Sequence, residues 1–143
     1  MGWIVTLSIL TFILSSCSET SSGSSQARLD RYRQLLSLTD VRSVYYSEPQ
    51  SPRPVPQVRG VLRNLGSETV LMVEFTLTFK NHLNQAIHKE TAYPVYVSSF
   101  STPANQPLGP SQQIQFAFKS PDCPPEWKPG HVDIEITKVL VQR

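Results

Sequence analysis

The chain is poor in the residues that carry chemistry. Its 143 residues include 3 histidines and 2 cysteines, and none falls at a metal-ligand spacing, with no HExxH and no Cys–His pairing of the zinc type. His82 and His88 flank one turn and the start of one run, and His131 opens another; two side chains across a turn are too few to hold a metal. There is no GxSxG and no glycine loop to cradle a phosphate. Asp122 and Glu126 share a loop, while Asp133 and Glu135 alternate on one strand face, where carboxylates commonly do no more than keep the face solvated. The serines sit in polar stretches with no base beside them. The expectation is a protein that is not an enzyme and takes no cofactor and no metal.

Charge is equally unremarkable. A formal net charge of +2 and a pI of about 8.6 give no clustered basic stripe, so no nucleic-acid partner is expected. Of all residues 39% are apolar and 17% charged, the balance of a soluble domain, and the length suits one domain rather than two. Proline is plentiful, with 12 residues from Pro49 to Pro129 gathered in short clusters and at turn-like places, except Pro94 inside an alternating run and Pro56 just before one.

The first 16 residues carry no charge, and Trp3 to Leu14 is nearly continuous apolar sequence. Twelve such residues in a helix span about 18 Å, whereas a bilayer core needs about 30 Å. The run is short for a permanent span and fits the apolar region of a signal peptide, although no Lys or Arg precedes it. The alternative is a buried first element of the domain. Directly after it stands Leu14-Ser15-Ser16-Cys17, which resembles the lipobox of bacterial lipoprotein signal peptides. The resemblance implies that Leu14, Ser15 and Ser16 are recognised by the signal peptidase, that cleavage falls before Cys17, and that the Cys17 sulfur carries diacylglycerol. Ser18, rather than aspartate, follows, and by that family's sorting rule the protein is bound for the outer membrane where the host has one. One acyl chain binds a bilayer marginally, and two or three hold firmly. A competing pattern, Gly2 with Thr6, matches loose N-myristoylation, but leaves the apolar run unexplained. With Cys17 acylated, Cys123 has no partner in the chain; the alternative is a 17–123 disulfide.

Residues 17–27 read as the anchor and a flexible Ser/Gly tether. Residues 28–55 read as a lead-in: a short amphipathic helix on Leu29, Tyr32, Leu35 and Leu36, then a strand ending at Pro49 and a stiff proline connector. Arg28, Arg31 and Arg33 form either an ordinary solvated face or a contact with anionic head groups.

From residue 56 to 143 the pattern has period two. In LMVEFTLTFK, Leu71, Val73, Phe75, Leu77 and Phe79 share one face, as in a strand with one buried side. AIHKETAYPVYV continues the alternation, and Pro94 places that strand at an edge or a bulge; by phase only one of Tyr93 and Tyr96 is buried. Ile114, Phe116 and Phe118 mark another strand, and Val132, Ile134 and Ile136 the last, with the phase lost after Thr137 as at a bulge. Five or six strands with one buried face each predict an all-β protein, two antiparallel sheets in a β-sandwich, with a small barrel as the second choice. Gly60, Leu62, Asn64 and Gly66, then Pro107, Leu108 and Pro110, then Trp127 and the closing strand resemble the FxLYD and related Ig-like domains of bacterial envelope proteins, with Ser111 where that family commonly has Gly. The resemblance spans about residues 56–141 and implies an immunoglobulin-like sandwich in a non-catalytic module that docks or scaffolds a partner.

The candidate interface residues are Tyr45, Tyr46, Tyr96 and Trp127, aromatics with a polar handle; for Trp127 the competing reading is a plug closing one end of the sandwich. The sequence thus predicts a lipid-anchored protein of the cell envelope that docks an envelope protein near the membrane. The alternative is a small-ligand-binding lipoprotein or a TssJ-like accessory of a type VI secretion system.

Overall fold

The computed structural model describes residues 21–49, 52–98 and 106–142. Leu14, Ser15, Ser16 and Cys17 lie outside them. The elements are helix α1 (Ser21–Tyr32), a 3-10 turn (Arg33–Leu35), and strands β1 (Leu36–Tyr46), β2 (Val55–Asn64), β3 (Val70–Asn81), β4 (Ala86–Tyr96), β5 (Gln113–Lys119) and β6 (Trp127–Val141). Strands β1-β2-β5 form one antiparallel sheet and β4-β3-β6 the other. The protein is an all-β sandwich preceded by a short helix. Among the described residues no helix is long and apolar enough to cross a membrane.

The core follows from alternation in the two central strands. Val58 and Leu62 from β2 meet Val73, Phe75, Leu77 and Phe79 from β3, all fully buried. Phe75 reaches across the sandwich to Phe116, with ring centroids 5.2 Å apart in a T-shaped pair, a geometry favoured by the ring quadrupoles. Leu71 does not join its expected face. The ladder with β6 shifts between Val70 and Met72, and Val70 takes the inward place, exchanging backbone hydrogen bonds of 2.9 Å with Leu108.

The lead-in is part of the domain. Strand β1 pairs with β2 from Leu36↔Asn64 to Tyr46↔Val55, so the sandwich begins twenty residues before the expected boundary at 56. Residues 21–27, read as tether, belong to α1. A serine-rich first turn has little helical preference of its own; α1 is held by its second half, where Leu29 and Tyr32 join the core. The Tyr32 hydroxyl lies 3.0 Å from Asn64 Oδ1 and 2.9 Å from the Glu68 carbonyl, and accepts from the Glu68 N–H at 3.0 Å. Asn64, fully buried, donates through Nδ2 to the Glu68 and Leu108 carbonyls at 2.8 and 3.1 Å. A Cβ on Gly66 would sit 2.4 Å from the Tyr32 hydroxyl, so this turn needs glycine for the close approach of a side chain. Arg28 pairs with Glu68. Arg33 pairs with Asp30 and donates to the Ile136 and Thr137 carbonyls at 3.2 and 3.1 Å. Of the three lead-in arginines, two are therefore spent inside the fold.

Candidate docking face

The outer face of the β4-β3-β6 sheet is organised around two bulges. On the β4 side, Val73 faces Val95 while Phe75 faces Ala92, so β4 carries one extra residue at Tyr93–Pro94. On the β6 side, Glu74 faces Lys138 while Phe75 faces Ile136, leaving Thr137 as the extra residue, at the point where the sequence pattern loses phase. A bulge re-aims the side chains beyond it. On β4 it sends both Ala92 and Val95 inward and both Tyr93 and Tyr96 outward, at 45% and 48% exposure. The expectation that one tyrosine is buried fails for this reason: Pro94 adds a residue, and strict alternation stops there.

Glu74 lies between the two bulges and is 8% exposed. Its carboxylate accepts from Lys138 Nζ at 3.0 Å and from the Tyr93 hydroxyl at 3.0 Å, and Thr137 Oγ1 stands 2.9 Å from Oε1. The hydrogen bond from the Lys138 ammonium, joined by those from Thr137 and Tyr93, outweighs desolvation and holds the Glu74 carboxyl below its ordinary range. Accepting carboxylate and partial burial push the Tyr93 phenol up in turn. The network makes no nucleophile or proton relay; it fixes the Tyr93 ring. Tyr96 then packs edge-on against Tyr93, with centroids 5.6 Å apart.

Across the sheet, Met72 is the direct partner of Tyr96 on one side and of Leu140 on the other. Leu140 is 46% exposed. The row Tyr96–Met72–Leu140, with Tyr93 beside it, places large apolar side chains on one solvent face. It borders a groove of about 380 Å³ between α1 and the sheet, lined by residues including Leu29, Arg33 and Lys138. Scattered exposed apolar residues are ordinary, but a contiguous set rimmed by polar groups marks an interaction surface.

The four interface residues read from the sequence do not form one surface. Tyr96 belongs to this face. Trp127 is 2% exposed and is overturned as an interface residue: it packs on Phe79 and donates from Nε1 to the His131 carbonyl at 3.2 Å, closing one end of the core. Tyr45 packs edge-on against Trp127 at 4.9 Å and donates to its carbonyl at 3.2 Å, so its hydroxyl is committed. Tyr46 lies under the Lys119 ammonium, 4.8 Å from the ring centroid, on the other sheet. Met72, Leu140, Glu74 and Lys138 were not singled out by sequence, and Tyr93 was weighed only against Tyr96 as a pair of which one is buried; Pro94 inside an alternating run was the available signal that both face out.

A second concavity lies at the Trp127 end, a cleft of about 300 Å³ walled by Tyr45, Pro54, Pro56, Pro121 and Pro124 around Cys123. Burial pushes the Cys123 thiol up to about 11, so it is protonated at neutral pH and a poor nucleophile. Among the described residues no group of His, Cys, Asp and Glu is placed to hold a metal ion. No protein-family model, no curated protein and no solved structure matches this chain.

Proposed function

We propose that this chain is a non-catalytic, lipid-anchored protein of the bacterial cell envelope, bound for the outer membrane. Its immunoglobulin-like sandwich docks a partner protein through the Tyr93–Tyr96–Met72–Leu140 face. The carrying observation is that row, three of whose members are nearly half exposed although each is large and apolar or aromatic. Aromatic anchors whose hydroxyls retain a polar handle are the usual energetic centre of an interface. The anchoring half of the reading rests on the sequence Leu14-Ser15-Ser16-Cys17 after an uncharged apolar run. The start of α1 at Ser21 supports a short connection: four residues from Cys17 span at most about 14 Å, which keeps the docking face near the bilayer surface.

Intact-mass analysis of the protein from its host tests the anchor; the reading requires a mature chain starting at an acylated Cys17, and an unmodified chain starting at Met1 contradicts it. Detergent extraction followed by cross-linked co-purification tests the docking face, with Leu140→Ser and Tyr96→Ala expected to lose the partner. The small-ligand reading has one observation in its favour, the proline-walled cleft beside Cys123. Its walls are preorganised and apolar, suited to a slender apolar group. Retention of a small molecule through native mass spectrometry would favour it.

A further inference from the structure

The opposite face of the sandwich has a different character, and its local geometry points to a ligand. Strand β1 carries a bulge: Thr39 faces Val61 and Arg42 faces Arg59, so Asp40 and Val41 together oppose Gly60. Asp40 adopts φ +52, the left-handed conformation that Asp tolerates better than most residues. Without the extra residue, strict alternation from Leu36 and Leu38 would turn Arg42 toward the core. With it, Ser43 is buried opposite Val58, and Arg42 points outward directly across from Arg59.

Direct cross-strand partners have Cβ atoms about 4.5–5.5 Å apart, and like charges at that place destabilise a sheet. Five cations elsewhere are matched, Arg28 with Glu68, Arg33 with Asp30, Lys80 with Asp133, Lys119 with Glu48 and Lys138 with Glu74, and among the unmatched ones Arg42 and Arg59 stand directly opposite each other in the ladder. The guanidinium groups of Arg42 and Arg59 make no ion pair or hydrogen bond among the described residues, and Asp40 nearby pairs with neither. Both arginines line a surface depression of about 440 Å³ together with Asp40, Gly60, Val61 and Gln115, so two guanidinium groups there face one carboxylate and the lining keeps a net positive charge. Gly60 is required there, since a Cβ would stand 2.9 Å from Phe116 Cζ and 3.2 Å from the Thr39 carbonyl oxygen.

We propose that this depression is an oxyanion site in which Arg42 and Arg59 clamp a phosphate group, with the Gln115 amide as a further donor. Two planar guanidinium forks suit the oxygens of a phosphate, where a pair of lysines would offer only point charges. The bulge places the like charges together, and the anion relieves the repulsion. The site does not depend on how the protein is anchored. The phosphate belongs either to a free phosphate compound or to a lipid head group, and the experiment separates these.

The test follows the thermal unfolding midpoint of the full chain in sodium phosphate against sodium chloride at matched ionic strength. A second arm uses phosphatidylcholine vesicles with and without phosphatidylglycerol. Phosphate at ten times its dissociation constant is expected to raise the midpoint by about 4 °C; a rise seen only with phosphatidylglycerol assigns the site to head groups. Arg42→Gln and Arg59→Gln, both at exposed positions, are each expected to weaken the anion response about tenfold. Their anion-free midpoints should equal or exceed the wild-type value, and Arg31→Gln should retain the full response. The proposal is overturned if phosphate and phosphatidylglycerol act no more strongly than their controls, or if the two variants respond as the wild type does.

Discussion

The outer faces of the two sheets use the same device to different ends. On the β4-β3-β6 face, bulges at Tyr93–Pro94 and at Thr137 flank Glu74; the charge there is matched with Lys138, and what is left bare is apolar and aromatic. On the β1-β2-β5 face, one bulge at Asp40–Val41 sets Arg42 opposite Arg59, and what is left bare there includes two unmatched guanidinium groups beside a single carboxylate, Asp40. In both cases one inserted residue breaks the alternation and delivers side chains to solvent that the period-two pattern would have placed inward. The core beneath is indifferent to which face is which: Phe75 stands between the sheets and touches Phe116 and Phe118 of the opposite one.

That shared core gives the largest expected effect. Phe75→Ala removes a fully buried ring and should cost about 3–5 kcal/mol, measured by urea unfolding. Both faces should lose function together, because neither has a support of its own. If one face keeps its activity in that variant, the two sheets are less coupled than their packing implies.

A smaller and more local effect is expected at the turn that holds α1. Asn64→Ala removes the side-chain donor to the Leu108 carbonyl and one of two to the Glu68 carbonyl, and should cost about 1–3 kcal/mol. Gly66→Ala drives a Cβ against the Tyr32 hydroxyl and should free α1. Hydrogen exchange is then expected to quicken in α1 while β2 and β5 stay protected, which would alter the groove beside Leu140 and leave the arginine face intact.

Glu74 sharpens the comparison through pH. Its folded-state carboxyl titrates below the ordinary range because Lys138, Thr137 and Tyr93 donate to it. The linkage sign follows: its contribution is present above the unfolded carboxylate value, about 4.3 for Glu, and is lost as pH falls through the lower folded value. Glu74→Gln should lower stability at pH 7 and flatten the acid limb of a stability–pH curve. Arg59→Gln should leave the shape of that limb unchanged. An acid limb identical in wild type and Glu74→Gln would show that the network carries no weight.

How much of this was legible depended on where alternation held. Val73, Phe75, Leu77 and Phe79 were placed inward correctly because the extra residues of both bulges lie on β4 and β6, leaving this stretch of β3 itself in strict alternation. The sandwich class followed from that strand and its neighbours. Tyr93 was misjudged because Pro94 adds a residue, and alternation counts residues without seeing bulges. Trp127 was weighed between plug and interface, and no local pattern separates them: its burial comes from Phe79 and Tyr45, distant in sequence. Asn64 and Gly66 stood out through the resemblance they carry, and the partner that makes them necessary, Tyr32, comes from the lead-in. The arginine pair was invisible because the cross-strand register that opposes Arg42 to Arg59 exists only once β1 joins the sheet.

The smallest expected effect on stability accompanies the most informative one on function. Tyr96→Ala and Leu140→Ser lie on solvent and should each change stability by no more than about 0.5 kcal/mol. Quantitative cross-linking of the full chain in its native membrane, comparing wild type, Tyr96→Ala, Leu140→Ser and Arg59→Gln, tests the docking claim most directly. The account predicts one cross-linked protein partner, present in wild type and Arg59→Gln and lost in the other two. A partner retained by Tyr96→Ala and Leu140→Ser, or lost equally with Arg59→Gln, would contradict it.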